Sequence, residues 1–199
     1  MRSITVGLTG GIATGKSSVG ELWRAKGATV IDSDALAHEA LAPGTPTFEE
    51  VVRTFGTGVL NPAGTMNRTA LGDIVFGDEQ KRLALNAIVH PSVREKWLRA
   101  MAEATGVMVV TVPLLFEVGA EVDFRCTVAV GCSETTQLTR LRAKGLTDDR
   151  ARARIRAQLP VQQKMDRADF VIWNDGAPDV LGRQAEMIWE TIKETHYAT

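Results

Sequence analysis

The stretch Gly10-Gly-Ile-Ala-Thr-Gly15-Lys16-Ser17 has the spacing GxxxxGK[ST] without a gap. Glycines at both ends let backbone N–H groups turn inward around phosphate oxygens. A lysine then neutralises the β- and γ-phosphates, and a serine hydroxyl offers an oxygen to Mg2+. A strand-like run, Ser3–Leu8, precedes the loop, and a helical pattern begins at Lys16, which is the context such a loop needs. The spacing predicts a nucleoside triphosphate site formed by Gly10, Gly11, Ile12, Ala13, Thr14, Gly15, Lys16, Ser17 and Ser18, with Ser17 towards Mg2+. It leaves open which triphosphate is held, and whether the γ-phosphate goes to water or to a substrate.

Two aspartates follow the next strand-like run, in Val30-Ile-Asp32-Ser-Asp34. Phosphoryl transfer to an alcohol benefits from a carboxylate that accepts the hydroxyl proton, and Mg2+ needs oxygen ligands. Asp34 is the candidate base, and Asp32 the candidate metal-shell or structural partner. The plainer alternative is that both cap the helix that follows. Glu117, in Val112-Pro-Leu-Leu-Phe-Glu117, either approaches Mg2+ through water or is a solvated loop residue. His90-Pro91 either meets an acceptor or ends a helix, because proline disfavours helix before it. His38, one helical turn after Asp34, reads as a surface histidine.

A cationic segment comes later: Arg140, Arg142, Lys144, Arg150, Arg152, Arg154, Arg156, Lys164 and Arg167, against Asp148, Asp149 and Asp166. Arg140 with Lys144, and Arg150 with Arg154 and Gln158, stand at helical spacing. Ala151, Ile155 and Leu159 make the packing side. Such a segment in a neutral protein suits a lid that excludes water and brings arginine to transition-state charge. Arg140 and Arg154 are the functional candidates; Arg152 and Arg156 read as a solvated face.

These residues need a scaffold that brings strand ends together. Strand patterns are predicted at Ser3–Leu8, Ala28–Ile31, Val107–Val112, Cys126–Val130 and Asp169–Trp173. Helices are predicted from Lys16 to near Gly27, across most of Ala35–Thr105, over Ser133–Lys144 with Ser133 as N-cap, over Asp148–Leu159 and over Pro178–Thr195. The helical stretch is broken at Ala42–Pro46 and Asn61–Gly64. Strands alternating with helices predict an α/β fold: five parallel strands with helices on both faces. Ligands collect at the carboxyl ends of such strands. Gly10–Ser18, Asp32–Asp34, Pro113–Glu117 and Asn174–Gly176 all follow strand ends.

With 199 residues the chain is long enough for one domain with a real core. Its formal net charge of −1 gives no field for a nucleic-acid or membrane partner, so an anion must be bound locally. No apolar run approaches the roughly 18 residues of a membrane span. Met1–Val6 enters a strand pattern at once, so no signal peptide is expected. Cys126 and Cys132 lie in one extended run that spans about 20 Å, too far for a disulfide. A reduced, cytoplasmic setting fits, and with no CxxC a structural zinc site is not expected. No heptad or large apolar stripe signals an oligomer, and a monomer is compatible with the pattern.

Taken in order, these segments resemble the dephospho-CoA kinase family over nearly the whole chain. Leu8-Thr-Gly-Gly-Ile-Ala-Thr-Gly-Lys-Ser17 resembles that family's loop, and Val30-Ile-Asp-Ser-Asp34 its second-strand segment. His90-Pro91, Val112–Glu117, Gln137-x-x-Arg140, Arg154-Ile-x-x-Gln158 and Ala168-Asp-Phe-Val-Ile-x-Asn174-x-Gly176 follow in the family's order. The resemblance implies a P-loop kinase that moves the ATP γ-phosphate to the ribose 3′-hydroxyl of dephospho-CoA, with Mg2+. It implies Asp34 as base, Lys16 and Arg140 on phosphate, and Asn174 near the nucleotide. Thr9, Asp34, His90, Glu117 and Arg154 are the acceptor-side candidates. It also implies a core at about 1–34, 106–140 and 168–199, a helical acceptor region at about 35–105 and a lid at about 141–167.

The chain departs from that pattern in three places. Arg142-Ala-Lys144-Gly145 replaces a usual Arg-Asp-Gly step, and lysine lacks arginine's bidentate fork. His38 stands where an arginine is usual, and Trp173 where a smaller polar residue is common. Two rivals remain at this level. One is another P-loop small-molecule kinase. The other is a nucleotide-dependent switch, whose Asn-Lys-x-Asp guanine motif this chain lacks.

Overall fold

The computed structural model describes residues 3–76 and 78–197, with all their side chains except those of 76, 196 and 197. It falls into two compact units, residues 33–100 and the remainder on either side, 1–32 with 101–199.

The larger unit holds a parallel sheet of five strands: β1 (Ile4–Gly10), β2 (Thr29–Asp32), β3 (Val107–Thr111), β4 (Cys126–Gly131) and β5 (Phe170–Trp173). Their order is β2-β3-β1-β4-β5, and every pairing is parallel, as the alternating pattern predicts. β1 is central, with Val6 opposite Val109 of β3 and Cys126 of β4. β3 and β4 are buried along their whole length, while the edge strands β2 and β5 are partly exposed. Burial on both faces explains why Val107–Thr111 reads as an unbroken apolar run rather than an alternating one. From β1 the chain moves to one side for β2 and β3, then to the other for β4 and β5. This reversal opens a crevice at the carboxyl end of β1, where the phosphate loop begins.

The helices are α1 (Lys16–Ala25), α2 (Ser33–Ala40), α3 (Pro46–Phe55), α4 (Arg68–Phe76), α5 (Glu79–Glu103), α6 (Glu134–Ala143), α7 (Asp148–Arg156), α8 (Val161–Arg167) and α9 (Pro178–Tyr197). α1 and α9 cover one sheet face. Val19 and Trp23 meet Leu181, Ala185, Ile188, Trp189 and Ile192 over Ile4, Val6, Leu8, Val109 and Val128. The Trp23 and Trp189 rings lie 6.2 Å apart, and the Trp23 indole N–H donates to the Ala185 carbonyl at 2.8 Å. That bond satisfies the polar atom of a wholly buried ring. α8 packs across β4 and β1. Ser133 caps α6 as expected, accepting from the Thr136 N–H at 3.2 Å.

In the smaller unit, Thr45 caps α3 through the Phe48 N–H at 3.1 Å, with Pro46 opening the helix. Val51, Val59, Leu71, Val75, Val89, Val93 and Trp97 are among its buried residues. Lys96 of α5 pairs with Glu39 of α2 at 3.1 Å.

Two local expectations are corrected. His90-Pro91 does not end a helix: α5 runs through Pro91 from Glu79 to Glu103. Pro91 and Ala87, whose carbonyl loses its helical partner, are both exposed, so water can serve the gap. The basic helix ends at Arg156 rather than Leu159, and after Pro160 a separate helix, α8, begins. Both cysteines are free and buried. Among the described residues no helix is long and apolar enough to cross a membrane.

Trp23→Ala removes a buried ring and leaves the Ala185 carbonyl without its indole donor. It should cost about 3–5 kcal/mol of stability. A denaturant midpoint unchanged from the parent protein would show that this face of the sheet is not where the fold is held.

Candidate active site

The phosphate loop connects β1 to α1. Gly15 has φ +106°, a left-handed conformation that favours glycine, and a Cβ built there would run into Asn174 Nδ2. Gly11 is closely overlaid: a Cβ would meet Val161 Cγ2 at 2.6 Å and Gln137 Nε2 at 2.8 Å. Ala13 is the only described residue other than glycine with positive φ, at +60°. The chain therefore takes a tight curve that ends at the α1 N-terminus, where the helix dipole favours anions. Ser17 and Ser18 stand exposed in the first turn of α1. The Lys16 ammonium donates to the carbonyls of Gly10 and Gly11 at 2.9 Å each.

Carbonyls in and beside the loop need donors. Arg140 of α6 supplies three: to Ala13 O at 3.1 Å, Thr14 O at 3.2 Å and Asn174 O at 2.9 Å. Asn174, just after β5 and 6% exposed, donates to Thr14 O at 2.7 Å. Gln137 donates to Ile12 O at 2.7 Å. The next residue after Asn174, Asp175, accepts from the Ser133 N–H at 2.9 Å and so fixes the start of α6. Burial works against its ionisation, but the hydrogen bonds from Ser133 and Thr136 and the nearby Arg140 charge outweigh it and hold its pKa low.

Next to the loop lies a cavity of about 910 Å³. Leu22, Ala25 and Leu181 line it with apolar surface; Arg140, Lys144, Asn174 and the α1 serines supply polar groups. An apolar pocket with a few convergent polar groups beside a phosphate loop suits a nucleotide.

Asp32 closes β2 and its carboxylate accepts from Thr111 Oγ1 at 3.1 Å. Asp34 and His90 belong to the smaller unit, Asp34 in the first turn of α2 and His90 in mid-α5. Burial lowers the His90 pKa below its ordinary 6.5, so its imidazole is neutral at neutral pH. Thr9 is buried and donates to Pro113 O at 3.4 Å. Arg154 lies on the exposed side of α7.

Glu117 and Lys164 differ from the sequence expectation. Glu117 is an exposed residue of the turn after β3, but its carboxylate is engaged: it pairs with Lys164 at 2.7 Å and accepts from the Leu159 N–H at 2.8 Å. Lys164 is not a surface lid charge but is wholly buried, and it also donates to Pro113 O at 2.5 Å. Burial lowers its pKa, and Glu117 works against that shift. Arg167 stays at the surface but lies over the Phe116 ring at 4.6 Å and pairs with Glu121. Arg142 is neutralised by Asp148 at 2.6 Å, and Arg152 pairs with Glu134 at 2.9 Å. The cationic run is thus partly internal wiring. The lone apolar Val161 and Met165 between its charges are the signal for a buried α8 side.

A family model described as dephospho-CoA kinase matches residues 4–179. The chain belongs to the dephospho-CoA kinase family. A dephospho-CoA kinase of Anaeromyxobacter dehalogenans is 47% identical, covering 92% of this chain and 89% of that one. The crystal structure of TT1252 from Thermus thermophilus is similar at a TM-score of 0.82 and 34% identity, covering 96% of this chain and 98% of that one. The dephospho-CoA kinase of Campylobacter jejuni is similar at a TM-score of 0.71 and 25% identity, covering 97% and 98%. The match to the family model takes in the phosphate loop, both aspartates, Arg140 and the Asn174 segment.

Cys132 directly follows β4, near Arg140 and Lys16. Burial pushes its thiol up to about 11 despite the opposing charges of Arg140 and Lys16, and burial with Asp169 pushes Cys126 to about 12. Neither thiol should react with an aromatic disulfide reagent at pH 7 in the folded protein, and both should react after denaturation. A fast-reacting thiol in the native protein would contradict this placement.

Proposed function

We propose that the protein transfers the γ-phosphoryl group of ATP to the ribose 3′-hydroxyl of dephospho-CoA, giving CoA and ADP. The observation that carries this reading is an intact, externally braced phosphate loop at the sheet's switch point, in a chain of this family. The loop N–H groups and Lys16 hold the triphosphate, and Lys16 follows the charge that develops on the β–γ bridging oxygen. Arg140 braces the loop and adds positive charge beside the cavity that takes the nucleotide, with Asn174 in its wall. Asp34 accepts the proton of the 3′-hydroxyl as its oxygen bonds to the γ-phosphorus. The bond to the bridging oxygen breaks, and that oxygen leaves with ADP.

The donor set suits Mg2+: the Ser17 hydroxyl, with the Asp32 or Asp34 carboxylate, are hard oxygen ligands. Among the described residues no group of three His, Cys, Asp or Glu forms a metal cage, so phosphate oxygens and water would complete the shell. When bound, the ion neutralises phosphate charge. Residues 35–105, most of them in the smaller unit, are the proposed acceptor region, with His90 as a neutral contact, and 141–167 the proposed lid, which carries Arg154 as an acceptor-side candidate. Thr9 and Glu117 act from beneath, through Pro113 and Lys164. The proposed setting is the cytoplasm, in keeping with two free cysteines.

ADP release should be measured with ATP and Mg2+ plus dephospho-CoA, nucleoside monophosphates, gluconate or no acceptor. Release should require dephospho-CoA; release indifferent to it would overturn the reading. Asp34→Asn should lower turnover by about 10²–10⁴-fold with ATP binding retained. Near-normal turnover would remove Asp34 as base. Lys16→Ala should weaken both binding and transfer.

A further inference from the structure

Residue Ile12 is held by two side-chain amides of opposite polarity. Gln158, in the turn after α7, accepts from the Ile12 N–H through Oε1 at 2.8 Å. Gln137, on α6 and 3% exposed, donates to the Ile12 carbonyl through Nε2 at 2.7 Å. The partners dictate which end of each amide faces Ile12, since an N–H needs an acceptor and a carbonyl a donor. The Ile12 side chain packs on the Leu138, Leu141 and Ala151 cluster, so the residue is gripped on backbone and side chain alike.

The Ile12 N–H and the Gly11 carbonyl belong to one trans peptide, so they point in opposite directions. Gln158 holds the N–H end. The carbonyl end accepts from Lys16 Nζ and Thr14 Oγ1, each at 2.9 Å. The orientation of this peptide therefore sets where the Lys16 ammonium docks. The Gln158 end is itself anchored, because Glu117 accepts from the neighbouring Leu159 N–H at 2.8 Å and is pinned by buried Lys164 at 2.7 Å.

We propose that Gln137 and Gln158 are positioning residues of the phosphoryl-transfer site. They form an amide clamp on Ile12 that orients the Gly11–Ile12 peptide and, through it, Lys16. Neither touches the reacting atoms. The clamp deepens the kinase reading and rests on it.

Opposite polarity makes the test asymmetric. A glutamate keeps an acceptor, so it can replace Gln158 but not Gln137. At saturating ATP and dephospho-CoA, Gln158→Glu should keep kcat within about threefold, whereas Gln158→Met and Gln137→Glu should each lose about tenfold or more. The KM for dephospho-CoA should move little, and melting temperatures should not account for the losses. Ile12 amide exchange, read without substrate, should quicken in Gln158→Met while Val6 and Leu8 stay protected. Equal kcat for Gln158→Glu and Gln158→Met, near-normal kcat for Gln137→Glu, or losses that track the folded fraction would overturn the clamp. Should Gln137→Glu not fold, the Gln158 pair decides alone. An inactive parent protein would overturn the kinase reading instead, and unchanged Ile12 exchange in Gln158→Met would still overturn the clamp.

Discussion

A backbone drawn into a tight phosphate-holding curve leaves carbonyls without regular partners, and those carbonyls must be satisfied in a crowded place. The loop from Gly10 to Gly15 meets that constraint with donors from outside itself: Arg140, Asn174 and Gln137. Two of these donors come from α6 and the third from the segment after β5, yet all reach the carboxyl edge of the sheet. That is why strand order matters to the chemistry. β1 delivers the loop, β4 leads into α6 with Gln137 and Arg140, and β5 ends at Asn174.

The same edge has a deeper layer. Lys164 is buried at a cost that only a paired carboxylate and a carbonyl acceptor can offset, and Glu117 and Pro113 O provide them. The result ties α8 to the segment after β3. Val161 then sits over Gly11, so the loop is covered on its outer side by a helix that is fixed at its base. A buried ion pair adds little net stability, but it specifies one arrangement, and here the arrangement ends at Ile12 through Leu159 and Gln158.

Much of this was legible in the residues. The GxxxxGK[ST] spacing marked the loop, the apolar runs marked the five strands, and Ser133 marked a helix start. These are local signals, each contained within a few neighbours. What local reading missed depends on distant partners. Lys164 and Glu117 are 47 positions apart, counted along the numbering, and nothing near either residue announces a pair. Gln158 sits 146 positions from Ile12. Pro91 misled for the opposite reason: a strong local breaker was overruled by a long helix whose exposed side can leave one carbonyl to water.

The phosphate grip depends on a backbone curve that favours glycine at position 15, closed from outside by Asn174. Titrating ATP into Gly15→Ala, with the melting temperature as a check on folding, tests it directly. The expected result is a folded protein that has lost about a hundredfold or more in ATP affinity, because the left-handed turn and the Asn174 contact cannot both survive a Cβ. ATP binding within a few-fold of the parent protein would contradict it.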